Sequence, residues 1–148
     1  MERIRNFIQL TENFGTAGQP KAKEFSIIAE NGYRHVINIG MPDHPEAEKD
    51  EGTQVSSLGM NYIHIPVPFE NPCPEHARLF CSLLKQIKHE KVFIHCIMNY
   101  RVSVFMYHYL SKVEGWSDSD AKSPMFEKWN IEPQWQKVML WNQAEIGL

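Results

Sequence analysis

Cysteine is scarce in this chain: there are three, an odd number with no regular spacing. That usage argues against a disulfide framework and for free thiols in a reducing compartment, so a cytoplasmic protein is expected. Long apolar runs are missing as well. No segment approaches the roughly 20 apolar residues of a membrane span. The charged start, Met1-Glu-Arg-Ile-Arg-Asn6, has no signal-peptide apolar region. Nor is there an excess of positive charge, because 15 basic residues against 18 acidic ones leave a net charge of −3. A chain so balanced has no general attraction to nucleic acid or to an anionic membrane. Repeats, low-complexity tracts and linkers are lacking too. What remains is a chain of 148 residues, 43% hydrophobic and 22% charged, which suits one domain over 1–148 with an ordinary core. Its oligomeric state is not written in this pattern.

Strand and helix patterns alternate along the chain. Phe7 to Leu10 reads as an edge strand, and Gly15-Thr-Ala-Gly18-Gln19-Pro20 as a loop that stops before Pro20 opens a helix. Phe25, Ile27, Ile28 and Ala29 give that helix its apolar stripe, and Asn31-Gly32 ends it. His35 to Ile39 is the next strand. After the loop Gly40 to Pro45, Glu46 to Leu58 reads as an acidic, solvated helix closed by Gly59. Asn61 to Ile65 is a third strand. Four prolines between Pro66 and Pro74 then forbid regular structure up to the helix Glu75 to His89, whose apolar face is Leu79, Phe80, Leu83, Leu84 and Ile87. Beyond Gly115 the pattern is helical, with starts at Ser123-Pro124 and Glu132-Pro133 and apolar anchors at Trp129, Trp135, Val138 and Trp141. The expected fold class is α/β: a central, mostly parallel sheet of about four to five strands flanked by helices, with a helical C-terminal end.

The stretch Lys91 to Leu110 carries the chemistry. Val92 to His95 is β-branched and aromatic, and Val102 to Leu110 is apolar enough for a buried helix, so a strand delivers Cys96 into a tight turn that opens a helix. Backbone N–H groups in a helix's first turn have no internal partner, and the dipole there is positive. Ile97, Met98, Asn99, Tyr100 and Arg101 can therefore surround an anion and favour the thiolate of Cys96. Arg101 adds the forked, permanent charge suited to a tetrahedral oxyanion. In open α/β sheets this is also where ligands sit, beyond the carboxyl ends of the strands. The blander alternative is that a cysteine ending a buried strand packs as a small hydrophobe.

His95-Cys96 followed by Arg101 resembles the signature of the cysteine-dependent phosphatases, in which His-Cys, five residues, Arg and then Ser or Thr form a strand-loop-helix. Here only Ile97, Met98, Asn99 and Tyr100 stand between Cys96 and Arg101, and none is glycine. One repair shortens the loop by a residue; the other keeps its length and puts Val102 where the family has Arg, which Ser103 fits. Tyr109-Leu110 stands where the dual-specificity group often has Tyr-Leu and favours the short loop. Asn99 partly answers the missing glycine, because Asn tolerates the left-handed backbone conformation. Gly18-Gln19-Pro20, Asn31-Gly32-Tyr33, Val36 to Ile39, Tyr62 to Pro66 and His95-Cys96 come in the order of small bacterial dual-specificity-phosphatase-like proteins. The resemblance runs from about Phe7 to Leu110.

The resemblance implies a phosphatase with Cys96 as nucleophile, Arg101 as oxyanion ligand and His95 as an orienting residue. Family members place an acidic Asp in the loop after the third strand. That loop here offers only Glu70, with Asp43 in a different loop as a second candidate. Gln19 and Ser103 are supporting candidates, Gln19 more through a loop hydrogen bond than through the anion. The implied substrate is a phosphorylated small molecule or phosphoprotein, and no cofactor is called for. Cys73-Pro-Glu-His76 with Cys81 has no recognised metal spacing. Two other readings stand beside this one. Rhodanese-like sulfurtransferases share the spacing of a Cys, four residues and an Arg, and a non-catalytic oxyanion-binding module would explain the absent Asp.

Overall fold

The computed structural model describes residues 1–148. Five strands, β1 (Ile8–Gln9), β2 (Phe14–Ala17), β3 (His35–Asn38), β4 (Asn61–His64) and β5 (Val92–His95), form one sheet in the order β1-β2-β5-β3-β4. Only β1 runs antiparallel to its neighbour. The register pairs Ala17 with His95, His95 with Asn38, and Asn38 with His64, so the parallel strands end level with one another. Their following loops therefore emerge on one rim.

Helices α1 (Phe25–Glu30), α2 (Glu51–Ser57), α3 (Pro74–Ile87), α4 (Tyr100–His108), α5 (Pro133–Met139) and α6 (Gln143–Ile146) cover both faces. Side chains alternate along a strand. Val36 and Phe93 accordingly join Phe25, Ile28 and Val55 in one core, while Ile37 and Ile94 join Phe80, Leu84, Phe105 and Trp135 in the other. The alternation puts His95 on the α1/α2 side and Cys96 on the α3/α4 side. A single π-helical turn, Tyr109–Val113, continues α4.

Three expectations are corrected. The stretch Gly15 to Ala17 is not loop but the inner strand β2, paired on both sides. Glycine hides the strand pattern there, and it is needed because a side chain at Gly15 would run into the Tyr33 hydroxyl. The helix read from Glu46 begins only at Glu51: residues 46–50 offer Ala47 alone to pack, and Asp50 adopts a left-handed φ of 55°. Glu51 itself is buried instead of solvated. Leu79 is 55% exposed, because Ala77, Phe80, Cys81 and Leu84 form the buried stripe of α3 and Leu79 falls on the opposite side. Both C-terminal starts appear where Ser123-Pro124 and Glu132-Pro133 lead one to look, and Ser123 Oγ caps its turn by accepting the Met125 N–H at 3.1 Å. Trp129, Trp135 and Val138 are buried and Trp141 is half-buried.

One buried group makes this packing sensitive to acid. His108 of α4 donates Nε2–H to the Val138 carbonyl of α5 at 2.7 Å, and its Nδ1 is buried without a partner. Burial, with the nearby Lys112 charge, pushes its pKa from 6.5 down to about 4, against the opposing pull of the Val138 bond. Above 6.5 neither folded nor unfolded chain protonates here. Below it the unfolded chain takes up a proton that the folded one refuses, so stability falls with pH. Thermal or denaturant unfolding should show a loss of about 3 kcal/mol from this group by pH 4. His108→Gln, which keeps an N–H for Val138, should remove that part of the slope.

Candidate functional site

The loop from Cys96 to Asn99 is held by its carbonyls. Cys96 O accepts from His95 Nδ1 at 3.0 Å, and Ile97 O from the Gln19 amide at 2.9 Å. Met98 O accepts from Asn6 Nδ2 at 2.9 Å, and Asn99 O from Ser103 Oγ at 2.6 Å. No acceptor in the chain takes the amide hydrogens of Ile97, Met98, Tyr100 or Arg101. A loop tied back through every carbonyl, at the positive end of α4, leaves its donors for an anion.

Asn99 makes this turn without glycine. Its φ is 69°, and its Nδ2 donates to Asn6 O at 2.9 Å and to Thr16 Oγ1 at 3.2 Å, so the strained residue is pinned by its own side chain. Gly18 passes so close that a side chain on it would strike the Ile97 carbonyl. The glycine is needed beside the loop instead of in it.

A pocket of about 290 Å³ opens over the loop, lined by Cys96, Ile97, Met98, Tyr100, Arg101, Phe69, Glu70 and His44. Arg101 rather than Val102 shares it with Cys96, and Val102 is fully buried in the core. The buried Arg101 guanidinium donates through Nη1 to Val67 O at 2.8 Å and lies 5.5 Å from the centre of the Phe69 ring. Both contacts aim it from the loop that carries Glu70. The C-terminal segment supports the walls. Trp129 stacks on Tyr100 with ring centres 4.8 Å apart, and Trp135 donates Nε1–H to Phe69 O at 2.8 Å.

Several candidates take different places from those expected. Ser103 spends its hydroxyl on Asn99 O, and Asn99 faces away from the pocket toward Asn6 and Thr16. Gln19 lies outside the pocket, donating to Glu51 Oε1 at 2.6 Å and to Pro20 O at 3.0 Å. Asp43 is absent from the lining while its neighbour His44 is present. His44 could have been suspected, because its loop follows β3 on the same rim as Cys96. Glu51 carried no such signal. It is buried on α2, with Oε2 accepting His95 Nε2–H at 2.6 Å. Burial alone would raise its pKa, but the His95 charge and hydrogen bonds from His95, Gln19 and Tyr62 prevail and hold it below the ordinary carboxylate value. Burial first, then the Glu51 charge, pushes the Tyr62 hydroxyl the other way, up from 10.0.

All three cysteines are free, and no helix is long and apolar enough to cross a membrane. No protein-family model and no curated protein matches the chain. Solved structures do. A candidate phosphatase (DUF442) from Shewanella putrefaciens CN-32 is 30% identical, with a TM-score of 0.83 over 99% of this chain and 93% of that one. The core catalytic domain of the PP-IP phosphatase SIW14 from S. cerevisiae reaches a TM-score of 0.73 at 14% identity, over 97% of this chain and 90% of its own. TpbA of P. aeruginosa, in complex with pTyr, reaches 0.64 at 14% identity, over 78% of this chain and 68% of its own. The last two speak for the fold alone. These matches do not favour the sulfurtransferase reading over the phosphatase one.

Because Asn99 sits in the left-handed region, Asn99→Ala should cost about 1 kcal/mol more stability than Asn99→Gly, both having lost the same side-chain hydrogen bonds. Denaturant unfolding of the two variants measures the difference.

Proposed function

We infer the reaction from one premise: this chain belongs to the dual-specificity-phosphatase-like group of the cysteine-dependent phosphatases, and within that chemistry it hydrolyses phosphomonoesters through Cys96. The observation that carries the reading is the shared pocket, which Cys96, Arg101 and Glu70 all line, over a turn in which the amides of Ile97, Met98, Tyr100 and Arg101 lack acceptors.

The Cys96 thiolate attacks phosphorus, forming the S–P bond as the ester O–P bond breaks. Arg101, through the N–H groups not given to Val67, and the amides of Ile97, Met98, Tyr100 and Arg101 hold the equatorial oxygens as charge builds on them. Glu70, protonated at the start, gives its proton to the departing oxygen. Water then attacks the thiophosphoryl intermediate, surrendering a proton to the Glu70 carboxylate, and phosphate leaves as the thiolate returns. His95 orients the loop through the Cys96 carbonyl, as the family resemblance implies.

The walls favour one kind of substrate. Phe69, Met98 and Tyr100 are apolar or aromatic, and the lining holds a single guanidinium and a single carboxylate. A polyphosphate would need more cations than this pocket holds, whereas one phosphoryl group on an apolar or aromatic body fits its charge and its surface.

Aryl phosphate hydrolysis by the native protein should vanish in Cys96→Ser; turnover surviving that substitution would overturn the nucleophile assignment. Glu70→Gln should slow alkyl phosphates by about 100-fold and nitrophenyl phosphate far less. Equal slowing of both would remove Glu70 from the mechanism. Stabilisation by phosphate or vanadate without any turnover would leave an oxyanion-binding module.

A further inference from the structure

Beneath the pocket lies a buried carboxylate that the reaction as described does not use. His95 is wholly buried, and both its ring nitrogens meet oxygen: Nε2 lies 2.6 Å from Glu51 Oε2 and Nδ1 lies 3.0 Å from the Cys96 carbonyl. A carboxylate and a carbonyl only accept, so each ring nitrogen must carry a hydrogen, and the ring that satisfies both is the imidazolium. Its charge is matched by Glu51, whose other oxygen accepts from Gln19 Nε2 at 2.6 Å.

We propose that Glu51 is a positioning residue of the site: it keeps His95 doubly protonated and oriented, so that the ring clamps the Cys96 carbonyl and turns the positive end of the buried pair toward the nucleophile's backbone. The proposal rests on Cys96 being the nucleophile. With the imidazolium on the Cys96 side of the pair and the carboxylate behind it, the oriented pair favours the thiolate over the thiol, and because both partners are buried, solvent screens it little. Other titratable or charged groups surround the pair. Tyr62 of β4 hydrogen-bonds the Glu51 carboxylate, and Arg101 lies in the pocket with Cys96. The exposed Lys49 and Asp50 precede α2. Of these, Glu51 alone is hydrogen-bonded to the His95 ring. Its low pKa agrees with a carboxylate that stays charged while buried.

With Glu51→Gln the amide can still hydrogen-bond His95, but nothing demands the second ring proton. Three measurements test the idea. Nitrogen NMR of labelled native protein should find both His95 ring nitrogens protonated at neutral pH; a single proton there overturns the proposal and leaves the nucleophile assignment intact. Ultraviolet thiolate absorbance, taken as the difference from Cys96→Ser in the same background, should show the Cys96 thiolate fraction about tenfold lower in Glu51→Gln than in native protein at mildly acidic pH. The acid limb of kcat/KM should move up by about one pH unit with it, and Glu51→Asp, which restores the charge, should recover part of both. A folded Glu51→Gln with native thiolate fraction and pH profile would reduce Glu51 to a structural residue and sink the proposal. Should that variant fail to fold, the NMR result on native protein decides alone. Failure of the Cys96 reading would be recognised separately, by hydrolysis persisting in Cys96→Ser.

Discussion

A turn whose carbonyls are all pulled outward is the constraint on which the rest depends. Four consecutive C=O groups, from Cys96 to Asn99, are bound from behind by His95, Gln19, Asn6 and Ser103. Because a peptide plane carries its N–H opposite its C=O, fixing the carbonyls decides where the amides point. The anion cradle is thus made by residues that do not line it. Two clamps, His95 and Ser103, flank the loop and two, Asn6 and Gln19, reach it from the distant N-terminal part of the chain, which explains why the loop manages without the glycines usual in such turns. The flexibility that glycine would supply is replaced by anchoring, and the one left-handed residue, Asn99, holds its own side chain in the clamp.

The clamps reach further into the fold. His95 is tied to Glu51, Glu51 to Gln19, and Gln19's own amide to the Ile97 carbonyl, so two of the four anchors share one buried network. Removing one partner of such a buried pair typically costs about 3–5 kcal/mol, because the other charge is stranded. On the opposite face, Trp129 and Trp135 brace Tyr100 and the Phe69 backbone. The C-terminal segment that follows Gly115, outside the stretch where the family resemblance was evident, therefore braces two walls of the pocket from behind without lining it.

The pattern-based reading succeeded where neighbours in sequence are neighbours in space. The strand Val92 to His95, the turn after it and the helix beyond are one continuous run, so their periodicity, the position of Cys96 and the left-handed Asn99 could all be read directly. The position of Arg101 was legible for the same reason, since it stands in the first turn of α4 just after the loop. Reading failed where a residue's role is set from elsewhere. β2 passed for a loop because Gly15 answers to Tyr33, and Leu79 passed for core because five leucines, isoleucines and phenylalanines of α3 look alike until the direction of the sheet is known.

Alternation of apolar runs, proline and glycine punctuation and a Cys-to-Arg spacing were enough to determine an α/β sheet with a thiol at the carboxyl end of its central strand, since those signals act over a few residues. Tertiary structure alone decided that Glu51, in an acidic run that reads as solvated, turns inward to a histidine 44 residues away, and that His44 rather than Asp43 joins the pocket. The physical reason is that a carboxylate looks the same in sequence whether it faces water or a buried cation. Only the packing of α2 onto the sheet face to which His95 points supplies the partner that makes its burial tolerable.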